Sequence, residues 1–369
     1  MGKLVQLSSV HHSKDTRIFY KICKSLVNHG FEVDLIIQHH KSEKKNGINI
    51  VALPIATRKL DRLTKIIPRI IYKSFQYDKG TIFHFHDPEL IPVGLLLKMF
   101  GYKVIYDVHE DVPKTILEKE WIPFFLRKTI SLLVGFIEKI GNRAFDATIV
   151  VTNSIRNRFS HQTILIQNYP IVKPENKSLE VEKRQREDVF YVGSISFVRG
   201  IREIVKAIEL LNRDRSIQLV LAGTFINSEV EKQVKSMEGW KYVKFLGHID
   251  REELKRIAES CLAGLVIFHP IPNHIEAQPN KIFEYMGYEL PVIGSNFKLW
   301  EEIVVQNDCG ILVNPLDPNE IAKAVERIYN DPIEGDRMGK RGKNAVLRKY
   351  IWENEEKKLI QLYNQLLID

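Results

Sequence analysis

The stretch EAQPNKIFEYMGYELPVIGS (residues 276–295) combines a short helical pattern with an apolar run that ends in glycine and serine. The apolar run AGLVIFHP (263–270) precedes it, so a strand, a loop, a helix and a second strand are predicted in succession. Apolar strands separated by helices are typical of a parallel sheet that is covered by helices on both faces. The stretch therefore predicts an α/β fold.

The same alternation runs through the rest of the chain. In the first half, helical patterns near 16–29 and 90–101 separate the apolar runs KLVQLSS (3–9), EVDLIIQ (32–38), INIVALP (48–54), GTIFHFHD (80–87), KVIYDVHE (103–110) and DATIVVTNS (146–154). In the second half, the further runs are DVFYVGSIS (188–196), IQLVLAGT (217–224), YVKFLGHI (242–249) and GILVNP (310–315), with helical patterns near 200–212, 226–236, 250–260, 280–289 and 317–330. Each half therefore predicts a doubly wound parallel sheet.

A charged, proline-containing segment, IVKPENKSLEVEKRQRED, separates the two halves. We therefore predict an N-terminal Rossmann-like domain at 1–170, a linker at 171–187 and a C-terminal Rossmann-like domain at 188–351. The amphipathic pattern WENEEKKLIQLYNQLL predicts a separate helix at the end. We expect this last segment, 352–369, to cross back to the N-terminal domain.

The composition is that of a soluble globular protein, with 44% hydrophobic and 27% charged residues. Cys23, Cys261 and Cys309 have no paired spacing, which predicts a reducing compartment and no structural metal. The first apolar run is too short for a signal peptide, and no run reaches the roughly 18–20 apolar residues of a membrane span. We therefore expect a cytoplasmic protein.

Positive charge is concentrated in the first half of the chain. Residues 1–172 contain 25 Lys and Arg against 15 Asp and Glu, whereas the remainder contains 29 against 31. Two basic amphipathic segments lie there, RKLDRLTKIIPRIIYK (58–73) and WIPFFLRKTISLLVGFIEKIGNR (121–143). Such a helix can lie on an anionic bilayer, although the same pattern also serves a helix packed on its own domain. We expect peripheral contact with the inner face of the plasma membrane.

The helix predicted at 280–289 has the features of an anion site at its start. Pro279 suits the first helical position, and the free N–H groups of the first turn bind anions, to which Lys281 adds a full charge. Glu284 can accept hydrogen bonds from a vicinal diol such as ribose, and Glu276 can reach a more distant part of the same ligand. A phosphate between two such carboxylates fits a nucleotide sugar. Because ligands of open α/β sheets bind beyond the carboxyl ends of the strands, we expect the site in a cleft between the two domains.

Glu276 and Glu284, followed by YMGYELPVI, resemble the E-x7-E signature of the family-4 glycosyltransferases, the glycosyl transferases group 1. The wording PNKIFEYM is close to that of bacterial polysaccharide-synthesis members, and the resemblance covers nearly the full chain. It implies the GT-B architecture, in which two Rossmann-like domains face each other across a cleft. It also implies sugar transfer from a UDP- or GDP-linked donor, with retention of configuration and with no metal or other cofactor.

The segment YVGSISFVRGI (191–201) is similar to the family's VGR…KG loop, whose two basic residues hold the donor diphosphate. Arg199 occupies the place of the lysine, whereas Ser194 occupies the place of the arginine, which leaves Lys281 as the second cation. The FLGHI segment (245–249) would shape the base pocket. The donor-binding residues implied by the resemblance are Gly193, Ser194, Arg199, Gly223, His248, Asn280, Lys281, Ile282 and Glu284.

Three predicted strands of the first half carry histidine-rich ends, SSVHHSKDTRI (8–18), HFHDPELIP (84–92) and YDVHEDVP (106–113), which would converge on one crevice. His109 resembles the family histidine beside the donor sugar, so His109 and Glu276 are the predicted catalytic residues. The family's usual Gly-Gly is replaced here by His11-His12. The predicted acceptor-side residues are His11, His12, Asp15, Arg17, His86, Asp87, Glu110 and Asp111. A metal site at His84-x-His86-Asp87 would need further ligands that the sequence does not supply.

We expect the acceptor to be a polyprenyl-linked or other saccharide, in the synthesis of lipopolysaccharide, capsule or exopolysaccharide. A nucleotide-sugar epimerase of the same fold would bind the same donor but would need no basic amphipathic helix. A non-catalytic nucleotide-sugar binder would be expected to lose Glu276 or Arg199. Nucleic acid is not an expected partner, because the basic residues are not interleaved with aromatic residues in the manner of single-strand binders.

Overall fold

The computed structural model describes residues 3–119, 122–172 and 186–368. These residues divide into two compact units. The first contains the described residues up to Ile171 together with those from Trp352 onward, and the second contains those from Val172 to Ile351. Residues 173–185 of the predicted linker at 171–187 lie outside the described residues.

The first unit is built on an eight-stranded sheet. Its strands are β1 (Lys3–His12), β2 (Glu32–Gln38), β3 (Glu43–Lys45), β4 (Ile48–Leu53), β5 (Ile82–Phe85), β6 (Lys103–Val108), β7 (Ala147–Val150) and β8 (Thr163–Leu165). The spatial order is β3-β4-β2-β1-β5-β6-β7-β8, and β3 alone among these described pairs runs antiparallel to its neighbour. Successive residues of β1 enter different cores, Leu4 on one face and Val5 on the other, because side chains alternate along a strand. The sheet is thus covered on both faces.

Helices connect these strands. They are α1 (Lys24–Asn28), α2 (Lys59–Asp61), α3 (Ile67–Ser74), α4 (Ile91–Met99), α5 (Val112–Glu118), α6 (Phe124–Ala144) and α7 (Asn153–Arg156), with π-helices at Thr16–Cys23 and Arg62–Ile66 and a 3-10 helix at Pro88–Leu90. Asp15 begins the first of these segments by accepting hydrogen bonds from the backbone N–H groups of Arg17 and Ile18. None of the helices that the structure describes combines the length and apolar character needed to cross a bilayer.

The second unit is built on a six-stranded parallel sheet. Its strands are β9 (Val189–Val192), β10 (Leu219–Ala222), β11 (Val243–Gly247), β12 (Ala263–Val266), β13 (Val292–Ser295) and β14 (Gly310–Val313), in the order β11-β10-β9-β12-β13-β14. Its helices are α8 (Ile201–Leu211), α9 (Ser228–Lys235), α10 (Arg251–Ser260), α11 (Pro272–Ile275), α12 (Asn280–Gly287), α13 (Lys298–Trp300), α14 (Pro318–Asn330) and α15 (Pro332–Arg348). Shorter segments are 3-10 helices at Phe197–Arg199 and Glu238–Tyr242 and a π-helix at Glu301–Val305.

The last helix, α16 (Trp352–Ile368), belongs to the first unit. Trp352, Leu359 and Tyr363 are buried in the same core as Leu4. The Trp352 indole Nε1–H donates to Ser25 Oγ at 2.9 Å, and the Trp352 backbone N–H donates to the carbonyl of Pro170 at 2.9 Å. These bonds fix the point at which the chain returns to the first unit.

The predicted fold class, two Rossmann-like α/β sheets with a C-terminal helix, is confirmed. Strands β3 and β8 and helix α15 were not predicted. Helix α15 has few large apolar residues on its buried face because glycines form most of its contacts. A Cβ on Gly339 would lie 2.1 Å from the Glu289 carbonyl oxygen, and one on Gly342 would lie 3.2 Å from Cys309 Cβ. Close backbone contact thus replaces the apolar side chains by which an amphipathic helix is recognised.

Candidate functional site

A buried ion pair joins Arg17 to Asp107, near the carboxyl end of β6 in the first sheet. Arg17 Nε donates to Asp107 Oδ2 at 2.9 Å, and Arg17 Nη2 donates to Asp107 Oδ1 at 2.8 Å; the two side chains are 4% and 0% exposed. Burial alone would raise the pKa of Asp107, but the Arg17 charge and neighbouring histidines hold that pKa well below its usual value. Arg17, a predicted acceptor-side residue, is therefore engaged in a buried pair.

Three histidines surround the same carboxylate. From Asp107 Oδ2, the distances are 3.1 Å to His109 Nε2, 3.3 Å to His86 Nδ1 and 3.8 Å to His84 Nε2. Burial lowers the pKa of His86 to about 4 and that of His84 well below its usual value. Both rings are therefore neutral at pH 7.

Gln6 and Tyr363 form hydrogen bonds with the two buried rings. Gln6 Nε2 donates to the Tyr363 hydroxyl at 2.8 Å, so that hydroxyl donates its own proton to His84 Nδ1 at 2.7 Å. The Gln6 Oε1 atom accepts from His86 Nε2 at 3.0 Å. The His86 Nδ1 atom lies 3.3 Å from Asp107 Oδ2 and 3.2 Å from His109 Nε2. Tyr363, on α16, therefore connects the last helix of the chain to the histidine cluster.

His109 is the member of this cluster that reaches the surface, with 19% of its side chain exposed. Its Nε2 atom lies 3.1 Å from Asp107 Oδ2, an ionised carboxylate oxygen that accepts hydrogen bonds. Nε2 therefore carries the proton of a neutral His109, and Nδ1 is the nitrogen left to accept a hydrogen bond. The ring centroid of His11 lies 5.2 Å away. The predicted His11, His86 and His109 thus lie together.

His11 has a different electrostatic environment from the two buried rings. Burial alone would lower its pKa, but a hydrogen bond from His11 to Asp15 and the charges of Asp87, Asp15 and Asp107 outweigh burial and raise the pKa. The Asp15 contact is 3.2 Å and the Asp87 contact 3.4 Å. His11 is therefore easier to protonate than the buried His84 and His86.

Three predicted acceptor-side carboxylates have structural contacts. Asp87 Oδ2 accepts from Ser8 Oγ at 2.8 Å and from the Ser9 backbone N–H at 2.7 Å, which holds the end of β1. Asp15 caps the following π-helix. Asp111 caps α5 and accepts from Arg158 Nη1 at 2.8 Å. The remaining two predicted residues of this side, His12 and Glu110, are exposed.

The donor atoms of His84, His86 and Asp107 all lie within 4.8 Å of one another. The carboxylate that joins the two histidines is thus Asp107 and not Asp87, which is directed to β1. Both Asp107 oxygens already accept hydrogen bonds from Arg17. A metal ion would have to share this carboxylate with a guanidinium, so the donor set fits a hydrogen-bonded network better than a metal centre.

In the second unit, two glycine turns pack against each other after β9 and β10. Gly193 has φ +122° and Gly223 has φ +136°, and a Cβ on Gly223 would lie 1.9 Å from the Gly193 carbonyl oxygen. The Gly193 N–H donates to the Ala222 carbonyl at 3.0 Å. Ser194, directly after this turn, is exposed. Only glycine fits at position 223, because the conformation and the contact both exclude a side chain.

Arg199 ends the 3-10 helix before α8. Gly200, with φ +72°, follows it, and a Cβ there would lie 2.2 Å from the Ile267 carbonyl oxygen. The guanidinium carbon of Arg199 lies 5.4 Å from the centroid of the Phe268 ring. Arg199 is therefore held against the loop that follows β12.

Lys281 extends from the first turn of α12 to the same place. Its Nζ atom lies 4.0 Å from the Tyr191 ring centroid and 5.6 Å from that of Phe268. Nζ is buried and has no hydrogen-bond partner among the residues that the structure describes. Burial and the Arg199 charge hold the pKa of Lys281 well below its usual value, against the opposite effect of Glu284.

The other predicted donor-side residues surround this turn. Pro279 is the residue before α12 and not its first helical residue, and Asn280 begins the helix. Glu276 is exposed at the end of α11, Glu284 is half-buried on α12, and His248 is exposed after β11. Ile282 is fully buried in the core, so its side chain faces away from any ligand.

Sequence reasoning missed four side chains of these clusters. Tyr191 and Phe268 enclose Lys281, and Asp107 and Tyr363 organise the histidines. Asp107 was open to detection as the acidic residue within an otherwise buried strand pattern. Tyr363 carried no such signal, because an aromatic residue on an amphipathic helix is usually only a core residue.

Two family models match the chain. Glycosyl transferases group 1 matches residues 172–345, and Glycosyltransferase Family 4 matches residues 16–164. An uncharacterized glycosyltransferase of Methanocaldococcus jannaschii is 27% identical over 366 residues, which cover 93% of this chain and 92% of that protein. The capsular polysaccharide biosynthesis glycosyltransferase CapM of Staphylococcus aureus is 25% identical over 278 residues, 71% of this chain and 70% of CapM.

Solved structures show the same fold over the whole chain. Sucrose-phosphate synthase from Thermosynechococcus elongatus has a TM-score of 0.79 at 22% identity and covers 100% of both chains. Anabaena HepE in complex with UDP-glucose has a TM-score of 0.72 at 13% identity and covers 99% of this chain and 100% of that one. At these identities, the similarity establishes the fold alone.

Proposed function

Because the chain belongs to the group 1 glycosyltransferases, with the GT-B fold, we propose that it moves a sugar from a UDP- or GDP-linked donor to a growing, lipid-linked saccharide in surface polysaccharide synthesis. It is a retaining glycosyltransferase that uses a nucleotide sugar. The finer assignment of donor and acceptor is supported by relatives: HepE binds UDP-glucose, and CapM acts in capsular polysaccharide biosynthesis.

The observation that carries the donor proposal is the buried, unpartnered Nζ of Lys281. It lies at the N-terminus of α12, where backbone N–H groups and the helix dipole favour an anion. Arg199 contacts the same Phe268 ring as Lys281. No carboxylate of the described residues is bonded to Lys281 Nζ. The two basic side chains and the helix N-terminus therefore suit a diphosphate, which supplies several acceptor oxygens at once.

The proposed chemistry follows from these positions. As the bond between the anomeric carbon and the diphosphate oxygen breaks, negative charge grows on the leaving diphosphate. Arg199, Lys281 and the first N–H groups of α12 stabilise that charge, and loss of one such donor typically costs about 100- to 1,000-fold in kcat. We propose that Glu276 and His109 orient the hydroxyls of the transferred sugar, His109 accepting through Nδ1.

Calorimetric titration with UDP, GDP and UDP-glucose tests the donor site. We expect micromolar binding of one nucleotide, and markedly weaker binding by Glu284→Ala and by Lys281→Ala. The matched control is Lys298→Ala, which removes an exposed lysine of the same unit and should leave the affinity unchanged. Absence of binding by every nucleotide to the wild-type protein would refute the donor assignment.

Helix α6 carries the proposed membrane contact. Its apolar side chains Phe124, Phe125 and Phe136 are 85%, 77% and 62% exposed, and Leu132 and Leu133 are also exposed. Phe125, Leu132 and Phe136 lie on one face at helical spacing. An exposed apolar face of this size on a single helix is unusual for a surface that meets only water.

The charges of α6 favour an anionic surface as its partner. The exposed charged residues of this helix are Lys128, Lys139 and Arg143. The helix contains one carboxylate, Glu138, which is buried and paired with Arg158. A second copy of α6 would meet this face with like charges, whereas an anionic bilayer would meet both its apolar and its cationic residues. We therefore propose peripheral binding to the anionic inner face of the plasma membrane.

Sedimentation with vesicles tests this contact. We expect binding to vesicles that contain phosphatidylglycerol, weak binding to pure phosphatidylcholine, and loss of binding as the salt concentration rises. The double variant Phe125→Ser/Phe136→Ser should lose binding. Met99→Ser, which changes an exposed apolar residue outside α6, is the control. Equal binding by the double variant and the wild type would refute the role of α6.

A further inference from the structure

We propose that this glycosyltransferase takes up one proton when it binds its sugar-nucleotide donor, and that the side-chain amine of Lys281 receives that proton. The inference rests on the proposed function, since it requires a diphosphate at the start of α12. It adds a chemical event to donor binding that the E-x7-E motif and the fold do not imply.

The amine of Lys281 is enclosed without an anion. A Cβ on Gly193 would lie 2.7 Å from Lys281 Cε and 3.0 Å from Nζ, so the side chain passes directly over that glycine. The rings of Tyr191 and Phe268 line the rest of its path. Nζ has no hydrogen-bond acceptor in the part of the chain that the structure describes. A charged ammonium group in this place would lack both water and a counter-ion.

The charged groups that face Lys281 do not replace the missing partner. Arg199 repels a positive charge at Nζ, whereas Glu284 attracts it from one turn further along α12. The Tyr191 hydroxyl donates to the Ser194 carbonyl at 2.7 Å, so it stays protonated and offers no negative charge. The face of its ring favours an ammonium group, but burial has the larger effect and lowers the pKa of Lys281. Enclosure of Nζ without an acceptor, together with the Arg199 charge, thus favours the neutral amine over the ammonium form in the free protein.

Arrival of the diphosphate reverses this balance. Its oxygens are acceptors for three N–H bonds of an ammonium group, and their negative charge favours the protonated form. The Nζ lone pair takes a proton from the protonated buffer, whose conjugate base stays in solution, and the ammonium then donates to a phosphate oxygen. Because protonation accompanies binding, donor affinity falls as the pH rises above the pKa of Lys281 in the free protein.

Calorimetry in two buffers measures the proton directly. UDP-glucose and GDP-mannose are titrated into the wild-type protein at pH 8 in Tris and in HEPES, whose enthalpies of ionisation differ. Sugar nucleotides are used because the terminal phosphate of a free nucleoside diphosphate titrates at about pH 6 and could itself exchange a proton on binding. The dependence of the observed enthalpy on the buffer enthalpy gives the number of protons exchanged. We expect net proton uptake on donor binding, up to one proton per donor bound.

Two variants identify the group. Lys281→Arg carries a permanent charge, and Lys281→Met carries none. We expect both to bind without proton uptake, Lys281→Met with lower affinity. Lys281→Met also serves if arginine does not fit beside Gly193, and we expect its melting temperature without donor to match or exceed that of the wild type. Lys298→Arg is the control and should retain full uptake.

The outcomes separate this inference from the proposed function. If a donor binds to the wild type with the same observed enthalpy in both buffers, the donor site stands and the proton inference is refuted. If uptake persists in Lys281→Arg and in Lys281→Met, another group receives the proton and the assignment is wrong. If neither sugar nucleotide binds, the donor site is refuted and the inference with it.

Discussion

The Tyr363 hydroxyl links α16 to the histidine cluster, so its removal tests whether the last helix supports that cluster. The substitution Tyr363→Phe keeps the ring, which is fully buried, and removes one oxygen atom. That oxygen accepts from Gln6 Nε2 at 2.8 Å and donates to His84 Nδ1 at 2.7 Å. The packing of the core should be preserved, and two hydrogen bonds should be lost.

The magnitude follows from the two groups left behind. Gln6 and His84 are both 0% exposed, so water does not replace the missing oxygen. A buried polar group left without its partner costs about 1–3 kcal/mol. Two such groups predict that the free energy of unfolding of the first unit falls by about 2–6 kcal/mol. The second unit, which has no contact with this hydroxyl in the described hydrogen bonds, should keep its stability.

Hydrogen exchange read by mass spectrometry distinguishes the units. Exchange should accelerate in peptides from β5 and α16 and stay unchanged in peptides from β9 and β12. The matched control is Tyr72→Phe, which removes the hydroxyl of a side chain that is 69% exposed and should change stability by less than about 0.5 kcal/mol. If Tyr363→Phe behaves like Tyr72→Phe, the cluster does not depend on α16 and the reasoning fails.

Three further predictions concern the pH dependence and the donor site. His86 has a pKa of about 4 in the folded protein against about 6.5 when unfolded, so the unfolded state binds more protons between these values. The contribution of His86 to the free energy of unfolding should therefore fall by about 3 kcal/mol as the pH drops from 7 to 4. Urea denaturation of His86→Gln should show a pH dependence without this contribution. Lys281→Met should weaken donor binding about 10- to 150-fold. Adding Ser194→Arg to this variant should restore part of the affinity, as measured by calorimetry. If the affinity does not recover, residue 194 does not contact the diphosphate. Gly223→Ala should abolish donor binding because its Cβ would meet the Gly193 carbonyl oxygen. Gly101→Ala, at φ +82° with no atom within 4 Å, should cost only the backbone strain of about 1–2 kcal/mol. Equal thermal shifts in the two variants would contradict the steric argument.

Most strands of both sheets could be predicted from the sequence because they follow from local patterns. Each predicted strand is an apolar run, and strands buried on both faces need no information from distant residues. The same locality placed Arg199 and Lys281 at strand and helix ends, where the structure has them. Local sequence patterns were therefore enough to predict the fold and the positions of these two side chains.

The pairings within the clusters were not open to prediction in this way. Arg17 and Asp107 are 90 residues apart, and His84 and Tyr363 are 279 residues apart. A single sequence does not reveal such partners, because any buried carboxylate or tyrosine satisfies the local pattern equally well. The unpartnered state of Lys281 likewise depends on Gly193, which leaves room for the amine, and on Tyr191, which excludes water.

The return of α16 to the first unit also determines the order in which the protein becomes complete during translation. The described part of the second unit leaves the ribosome before α16 exists, and α16 is not part of that compact unit. Ribosomes add about 5–20 residues per second, so the stretch from Val172 to Ile351 keeps the surface for α16 uncovered for about 10–35 s. During that interval, Phe31 and the other apolar residues that later contact α16 are exposed beside a finished neighbour. Nascent chains of this protein are therefore most exposed to aggregation, and to chaperone binding, in the interval before α16 has been synthesised.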